Sequence, residues 1–455
     1  MRLSDATLDR LPADVARFAY DRAAQKTGIV HFGIGAFHRA HQAWYTDSCM
    51  SAGERDWAIC GVSLRSDAVS RQLSPQDGLY TLTERSGAEA ATRAIGSVRE
   101  VLVGGRDWGC ILDRMGEAEC RIVSFTVTEK GYARAADGSL DLDLAAASFY
   151  PLLAAGLARR KAAGQSGVTL LCCDNLPENG RTLERLLGEW LAATGPELTG
   201  WVESECTFPS TMVDRIVPAT TDADLAALEA RLGLRDEGAV FAECFSQWVI
   251  EDGFAGPRPG WDRHGAQLVD TVAPYETAKL RMLNGAHSAL AYCGLERGHE
   301  FVHEAIADPE LRPLVERLMR EEAATSFVPA PGQDLTAYAD ALLARFADPA
   351  LNHRLMQIAL DGSQKIPQRW LETLAFHQRD RRPCPALLAA LAAWLRHVRG
   401  DIRPVDDPLA GRLAALWAEA GSHGIATALF GTRGLFAASW LADEAALAEL
   451  TARLA

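Results

Sequence analysis

Short apolar runs rich in β-branched residues alternate with longer stretches of helical spacing in the first part of the chain. The first run, residues 28–33, ends in glycine and leads into a helix-compatible stretch at 39–50. Runs of the same kind occupy residues 57–64, 121–127 and 167–173. Because buried strands that alternate with helices are typical of α/β proteins, the pattern predicts a mainly parallel sheet covered on both faces.

The character of the sequence changes after about Asp270. Alanine, leucine, glutamate and arginine dominate, strand-like runs disappear, and apolar residues recur at helical spacing, as at 385–398 and 441–454. A chain of 455 residues also exceeds the length at which one hydrophobic core usually stops growing. We therefore expect an α/β domain over residues 1–270 and a mainly α-helical domain over 271–455.

Composition narrows the class of protein. Sixty acidic against 46 basic residues give a formal net charge of -14, which repels nucleic acid backbones and anionic membranes. The N-terminal residues lack the basic start and apolar core of a secretory signal, so we expect a cytoplasmic protein without a membrane or nucleic acid partner. The ten cysteines are scattered without a C-x-x-C pair, which argues against a disulfide framework and a structural zinc site.

The first apolar run ends in Gly-Ile-Gly-Ala-Phe-His, which contains two of the three glycines of a dinucleotide-binding fingerprint. His38 stands in place of the third glycine. The motif follows a predicted strand and opens a predicted helix, so free N–H groups at the helix start are expected to face a pyrophosphate. A plain turn between strand and helix is the alternative. The predicted cofactor-binding residues of this Rossmann-like turn are Gly33, Ile34, Gly35, Ala36 and Phe37.

The segment after the second predicted strand reads Arg65-Ser66-Asp67. In dinucleotide-binding folds an acidic residue at this place hydrogen-bonds the adenosine ribose, and Asp67 therefore favours NAD as the cofactor. Arg65 would instead suit the 2'-phosphate of NADP. Both residues are candidates for contacts with the cofactor.

The strongest group of polar residues lies on a helical run at 275–287. At about 100° per residue, four of its polar side chains fall within an arc of roughly 140° and can share one face. A partly desolvated lysine there can exchange a proton with a substrate hydroxyl, while asparagine and histidine hydrogen-bond the same oxygen. A solvated helix face is the alternative interpretation. The four residues are Glu276, Lys279, Asn284 and His287.

A second polar group, the loop DNLPENG that begins at Asp174, follows the run at 167–173. Ligands of open parallel sheets bind at the carboxyl ends of the strands. Asn175 is therefore a candidate donor to a developing alkoxide, together with Asn284. These residue types are also common turn formers, so a purely structural loop is the alternative.

These residues lie within longer motifs that resemble the long-chain mannitol dehydrogenase family, which includes mannitol 2-dehydrogenases, arabinitol dehydrogenases and the fructuronate and tagaturonate reductases. The resemblance covers the chain from Ile29 to about Trp370. Because there are many long motifs in the right order, it is far more specific than the glycine pattern alone. The motifs are GIGAFHRAHQAWYTD, SFTVTEKGY, CCDNLPENG, FPSTMVDRIVPATTD, QWVIEDGF, KLRMLNGAHSALAYCG and RFADPALNHRLMQIALDGSQKIPQR.

The resemblance implies a metal-independent dehydrogenase that uses NAD. It assigns the acid/base role to Lys279, which would take the hydroxyl proton as the hydride leaves and return it in reduction. The other residues that it assigns are Asn175 and Asn284 as donors to the alkoxide, His287 as the group that orients the substrate, Glu276 as a proton relay to solvent, and Asp214 and Lys365 near the substrate hydroxyls. Thr128 and Glu129 are further candidates for contacts with the cofactor, and Arg354 is a candidate for contact with the substrate.

Within the family, the segments TEKGY, DNLPENG and FPSTMVDRIVPA resemble the sequences of the fructuronate reductases, which interconvert mannonate and fructuronate. The expected partner is therefore a small sugar acid, with mannitol or arabinitol as alternatives. A carboxylate substrate requires a cation. Arg354 and Arg369, which lie near Lys365 in the sequence, are the candidates.

Three interpretations of other kinds fit the sequence less well. A catalytically silent nucleotide-binding protein would tolerate an altered lysine or asparagine, yet Lys279 and both asparagines are present. A zinc-dependent dehydrogenase would require a cysteine and histidine cluster, which the sequence lacks. In a tyrosine-based dehydrogenase Tyr275, four residues before Lys279, would be the acid/base, but the asparagine and histidine that follow fit the lysine better. The sequence predicts no particular oligomeric state.

Overall fold

A five-stranded sheet lies at the centre of the first of two compact units, Met1–Val272. The computed structural model describes residues 1–87, 89–135 and 137–455. The strands of this sheet are β1 (Thr27–Phe32), β2 (Ala58–Ser63), β5 (Val98–Val103), β6 (Ile122–Phe125) and β7 (Thr169–Cys172). They run in the order β5-β2-β1-β6-β7, and every neighbouring pair is parallel. The predicted α/β fold with a mainly parallel sheet is confirmed.

Both faces of this sheet are covered. Along β1, Val30 and Phe32 belong to one apolar cluster and Ile29 to another, because successive side chains of a strand point to opposite faces. A strand buried on both sides reads as a continuous apolar run, which is why the sequence revealed it. The helices of this unit are α1 (Ala36–Ala40), α2 (Gln42–Ser51), α3 (Ala68–Leu73), α4 (Trp108–Gly116), α5 (Leu142–Ala146), α6 (Tyr150–Ala162), α7 (Asn179–Thr194), α8 (Thr199–Glu205) and α9 (Asp222–Leu232).

The helix predicted over 39–50 is two helices rather than one. The backbone leaves the helical region at His41, with φ -123° and ψ -97°, between α1 and α2. Periodicity could not reveal this break, since the polar and apolar pattern continues across it.

Two small mixed sheets were not predicted from the sequence. One has the strand order β4-β3-β9 and the other β11-β10-β8, and each contains an antiparallel pair. Their strands are short or rich in polar residues, so they lack the apolar signal of the central sheet. They are β3 (Tyr80–Ser86), β4 (Glu89–Ile95), β8 (Thr211–Asp214), β9 (Val240–Glu243), β10 (Gln247–Glu251) and β11 (Gln267–Val269).

The second unit, Ala273–Ala455, is helical. Its described residues contain no strand beyond an isolated bridge between Phe301 and Arg354. Three of its segments, which we call π1 to π3, have π-helical hydrogen bonding. The elements are α10 (Ala273–Ala278), π1 (Lys279–Asn284), α11 (Gly285–Glu296), α12 (Val302–Ala307), α13 (Leu311–Arg317), π2 (Leu318–Ala323), α14 (Leu335–Phe346), α15 (Leu355–Ile358), α16 (Gly362–Ile366), π3 (Pro367–Leu371), α17 (Glu372–Arg379), α18 (Pro385–Val398), α19 (Ala410–Phe430) and α20 (Glu444–Leu454).

The helices predicted in this unit are present. The one over 385–398 has the predicted bounds, and the one predicted over 441–454 begins three residues later, at Glu444. A single large apolar cluster includes the buried faces of α11 and α18. In the ranges that the structure describes, we find no helix with the length and apolar character required to cross a membrane.

Candidate functional site

The glycine turn after β1 requires glycine at its first position. Gly33 has φ +98°, and a Cβ there would collide with the backbone oxygen of Thr126. The Gly33 N–H donates to the Val62 oxygen at 2.8 Å, and the Thr126 hydroxyl donates to the Gly33 oxygen at 2.7 Å. At Gly35 a Cβ would meet only the Gly33 oxygen, at an ordinary contact distance of 3.8 Å. The turn therefore presents bare backbone before Ala36, the first residue of α1.

Two buried imidazoles occupy the place where a third glycine would bring helix and strand together. His38 stacks on His31 with ring centroids 3.4 Å apart. The ring of His31 also lies 2.8 Å from the hydroxyls of both Ser124 and Thr126. Burial lowers the pKa of His31 to about 3 and holds that of His38 well below 6.5, so both rings are neutral at pH 7.

The side chains of Ile34 and Phe37 pack inside the first unit. Ile34 is buried against Gly61, and the ring of Phe37 stacks on that of His41 with centroids 4.9 Å apart. Of the five residues predicted to bind a cofactor at this turn, these two therefore offer mainly their backbone.

The predicted ribose-contacting residues follow β2. Arg65 is exposed, and the Asp67 carboxylate forms an ion pair with Arg71 one turn further along α3. Asp67 is only partly exposed and precedes the first residue of α3. A ligand that binds Asp67 would therefore compete with an arginine for the carboxylate.

Asp174 joins the loop after β6 to the end of β7, a role that sequence reasoning missed. Its carboxylate accepts the N–H groups of Val127 and Thr128, each at 2.9 Å, and the Tyr132 hydroxyl at 2.8 Å. Thr128 has φ +66°, which is unusual for a residue with a side chain. Burial raises the pKa of Asp174, while these hydrogen bonds act in the opposite direction. The carboxylate thus holds Thr128 and the adjacent Glu129 near the loop that carries Asn175.

Asn179 ties that same loop to β8. Its amide nitrogen donates to the backbone oxygens of Asp174 at 3.0 Å and Thr211 at 2.8 Å, and its oxygen accepts the Thr211 N–H at 2.8 Å. Because Asn175 lies in this loop and Asp214 is the last residue of β8, one buried side chain fixes the backbone that carries both predicted site residues. The sequence signal that could have identified Asn179 is its place in the ENG part of the loop motif DNLPENG.

In the second unit, Lys279 and Asn284 are the first and last residues of π1. The prediction treated 275–287 as a regular α-helix, in which five residues correspond to about 140° of separation. A π-helix bonds residue i to i+5, so these two residues lie closer on one face than the α-helical period gave. Glu276 lies just before π1 and His287 just after it, and all four side chains are partly exposed.

Side chains from π3 contact the carbonyl groups around the end of π1. Trp370 Nε1 donates to the Gly285 oxygen at 3.0 Å. Arg369 Nη1 donates to the Ser288 hydroxyl at 2.8 Å and to the Asn284 oxygen at 3.3 Å. The geometry around Asn284 is therefore set by residues that are about 85 positions away in the sequence.

His287 is neutral and lies among cations. Burial lowers its pKa well below 6.5, and His353, Arg345 and Arg369 lower it further. Its ring centroid lies 4.7 Å from that of Phe346 and 5.3 Å from that of His353. A neutral imidazole can both donate and accept a hydrogen bond, as the orientation of a hydroxyl substrate requires.

Lys365 lies near Arg369, whereas Arg354 makes its contacts elsewhere. Lys365 Nζ donates to the Leu360 oxygen at 2.5 Å, and burial together with Arg369 lowers its pKa. Arg354 is 58% exposed, forms an ion pair with Glu300 and lies over the Phe301 ring. Among the described residues we also find no cluster of three or more His, Cys, Asp or Glu side chains suited to a metal ion.

Comparison with known proteins assigns the chain to a family. Residues 27–263 match the model of the mannitol dehydrogenase Rossmann domain, and residues 271–452 match that of the mannitol dehydrogenase C-terminal domain. The chain belongs to the mannitol dehydrogenase family. The family resemblance predicted from the motifs is confirmed.

Proteins that are similar to this chain are named for a sugar acid as well as for polyols. D-mannonate oxidoreductase of Escherichia coli (strain K12) is 40% identical over 445 residues, which cover 93% of this chain and 91% of the relative. The structure of Pseudomonas fluorescens mannitol 2-dehydrogenase in a ternary complex with NAD and D-mannitol has a TM-score of 0.82 and 34% identity, covering 100% of this chain and 96% of that one. A substrate-free D-sorbitol dehydrogenase has a TM-score of 0.85 and 34% identity, covering 90% and 88%. The chain is thus an oxidoreductase with a dinucleotide-binding fold, a dehydrogenase of CH–OH groups.

Proposed function

We propose that this protein is an NAD-dependent dehydrogenase that interconverts D-mannonate and D-fructuronate, with Lys279 as the acid/base. The observation that carries the proposal is the arrangement of Lys279 and Asn284 at the two ends of π1, with neutral His287 one turn further along. The 40% identity with a D-mannonate oxidoreductase supports the choice of substrate.

The first unit has the features that a dinucleotide requires. Gly33 and Gly35 leave backbone accessible at the carboxyl end of β1, where the pyrophosphate of a dinucleotide binds in such folds. The NAD in the related P. fluorescens structure supports NAD as the cofactor here. Asp67 would accept a hydrogen bond from the adenosine ribose, and Thr128 and Glu129 would contact the cofactor through the loop that Asp174 holds.

The chemistry assigned to the second unit is proton transfer and orientation. In oxidation, the neutral amine of Lys279 takes the proton of the substrate hydroxyl, and Glu276 passes it to solvent. Asn284 and Asn175 donate hydrogen bonds to the oxygen as negative charge develops on it. His287 orients the same oxygen. NAD, when bound, accepts the hydride in oxidation and, as NADH, supplies it in reduction.

Substrate hydroxyls away from the reacting carbon would be bound by Asp214 and Lys365. Asp214 is buried and Lys365 is partly buried, and hydrogen bonds to buried polar groups discriminate strongly between substrates. Arg354 is also a predicted substrate-binding residue, although its ion pair with Glu300 engages it elsewhere.

The second candidate function is oxidation of a neutral polyol, mannitol or arabinitol. It is favoured by the likeness over the whole chain to a mannitol 2-dehydrogenase. Initial rates of NADH oxidation with fructuronate and with fructose, repeated with NADPH, separate the candidates. Turnover of fructuronate alone supports the sugar acid, and turnover of fructose alone supports the polyol. No turnover of either ketose by the folded protein would direct the search to pentitols and to tagaturonate.

The role of Lys279 is tested by Lys279→Ala. We expect kcat to fall by about 10²–10⁴-fold, since general acid–base catalysis contributes that much, with NADH affinity nearly unchanged. Stopped-flow rates and NADH fluorescence titration measure the two quantities. Tyr275→Phe is the matched control and should keep most activity. A collapse of NADH affinity in Lys279→Ala, or an equal loss of kcat in Tyr275→Phe, would refute the assignment.

A further inference from the structure

Arg369, in π3, is a partly buried cation. Its Nη1 atom donates to the Ser288 hydroxyl and the Asn284 oxygen. Within the part of the chain that the structure describes, its Nε and Nη2 atoms meet no acceptor, and no carboxylate lies within ion-pair distance. Burial lowers the pKa of Arg369 to about 10, which still leaves it charged at pH 7.

Two other arginines of the second unit, Arg281 and Arg354, form ion pairs. Arg281, in the middle of π1, forms an ion pair with Glu372 at 3.1 Å and also binds Ser326. Arg354 is paired with Glu300. A guanidinium that is withdrawn from water and lacks such a partner costs free energy, unless a ligand supplies the missing charge.

The groups around Arg369 add positive charge. Lys365 lies close enough for Arg369 to lower its pKa, and Arg369 and Arg345 both lower that of His287. Two acids, Asp361 and Asp407, raise the pKa of Lys365, and the Asp407 carboxylate already accepts the N–H and hydroxyl of Ser363 at 2.7 and 2.6 Å. Arg369 itself contacts the helix that carries Asn284 and His287.

We propose that Arg369 binds the carboxylate of an acyclic sugar acid, and so determines that this protein prefers a sugar acid to a neutral polyol. The inference rests on the proposed dehydrogenase function and adds the residue that selects the substrate. The planar guanidinium offers two parallel N–H groups that match the two oxygens of a carboxylate. Lys365 then contributes a second charge from the same side.

The contact of Arg369 with Asn284 connects the proposed carboxylate-binding group to the helix that carries the catalytic residues. Nη1 is already fixed by Ser288 and by the carbonyl of Asn284, so the remaining donors need little further ordering. A carboxylate held by them would place the sugar chain along the helix that carries the acid/base. Arg354 is exposed and its guanidinium is engaged by Glu300, so its N–H groups are not held ready for a carboxylate as those of Arg369 are.

The test uses two ketoses that differ only in one terminal group, fructuronate with a carboxylate and fructose with a hydroxymethyl group. For Arg369→Gln we expect kcat/KM to fall about 100-fold with fructuronate and less than about threefold with fructose, since two charge-assisted hydrogen bonds are lost. Arg369→Lys, which keeps the charge but not the fork, should lose about tenfold with fructuronate. Arg412→Gln, which removes an exposed arginine of α19, is the control and should change neither value.

Equal losses on both ketoses would show that Arg369 only supports the helix, and an undiminished rate on fructuronate would show that another group binds the carboxylate. Either result overturns the inference. Wild-type protein that reduces fructose alone would overturn it while leaving the dehydrogenase function intact. Failure to reduce either ketose would overturn the proposed function as well. NADH affinity of each variant, unchanged in the expected case, separates these results from misfolding.

Discussion

At the scale of single residues, contacts decide properties that residue types leave open. The sequence identifies Arg354 and Arg369 as candidates for a carboxylate, and only their partners distinguish them: Arg354 is paired with Glu300, whereas Arg369 donates to a hydroxyl and a backbone oxygen. His31 is another example, because its neutral state follows from burial against Ser124 and Thr126. Carboxylate binding by Arg369 and the titration of His31 can both be measured.

Burial of His31 makes the stability of the protein sensitive to acid. Its pKa is about 3 when folded and 6.5 in the unfolded chain, so between these values the unfolded state binds a proton that the folded state does not. Stability therefore falls as pH decreases below about 6.5. For this one residue, the loss of unfolding free energy between pH 7.5 and pH 5 is about 2 kcal/mol.

The replacement His31→Gln removes that titration but can still hydrogen-bond Ser124 and Thr126. Urea unfolding curves at pH 7.5 and pH 5 should show that the acid-induced loss is smaller in the variant by about 2 kcal/mol. The other titrating groups, including His38, remain in both proteins and serve as the internal reference. Identical losses in the two proteins would contradict the prediction.

Asp67 is predicted to set the preference for NADH over NADPH. Asp67→Ala should weaken NADH about tenfold, through the loss of a charged hydrogen bond to the ribose, and should not weaken NADPH, whose phosphate the carboxylate repels. Dissociation constants from NADH and NADPH fluorescence measure the effect. Arg71→Ala breaks the ion pair but keeps the carboxylate, so it should retain the preference. Equal weakening of both cofactors in Asp67→Ala would exclude the ribose contact.

At the scale of elements, the helix that carries the catalytic residues departs from regular geometry. Its polar pattern predicted one face, and π1 changes how the residues of that face are spaced. Arg281, from π1, donates to Ser326, just beyond π2, and pairs with Glu372, just beyond π3. The local sequence does not specify this geometry, because the contacts that accompany it come from distant helices.

A buried carboxylate holds the start of α18. Both oxygens of Glu322 accept backbone N–H groups, from Ala386 at 2.9 Å and Leu387 at 2.8 Å, and its side chain is only 3% exposed. Glu322→Ala should lower the free energy of unfolding by about 3 kcal/mol, because two buried donors lose their acceptor. Chemical denaturation measures the change, and NADH affinity should remain as in the wild type.

The matched control for this prediction is Glu321→Ala. Glu321 is the preceding residue of π2, and its side chain is 66% exposed in an ion pair with Arg317. Exposed pairs of this kind contribute about 1 kcal/mol or less. Similar effects of the two substitutions would mean that the helix start does not depend on Glu322.

At the scale of the whole molecule, the distribution of charge is uneven. The net charge of -14 would repel a sugar acid, yet Arg369 and Lys365 form a local group of cations. Charges separated by more than about 8 Å are largely screened at physiological ionic strength, so the local group dominates the binding of a small anion. Net charge governs the attraction or repulsion of extended polyanions and carries little information about a single site.

The sequence by itself determined the fold class, the four buried strands around the glycine turn, the helical character of the second unit and the family. These follow from local signals: apolar runs of a strand buried on both faces, helical periodicity, and motifs in fixed order. It also named Lys279, Asn175, Asn284 and His287 as candidates for the chemistry, because polar residues on an otherwise buried helix or at a strand end stand out.

Tertiary structure alone decided the break at His41, the two mixed sheets, the π geometry between Lys279 and Asn284, and the positioning roles of Asp174 and Asn179. It also separated Arg369 from Arg354. Each of these depends on contacts between residues far apart in the chain, such as Asn179 with Thr211 or Arg369 with Ser288. Burial and pairing set the charge and hydrogen bonding of a side chain, and neither can be read from the residue type or its neighbours in sequence.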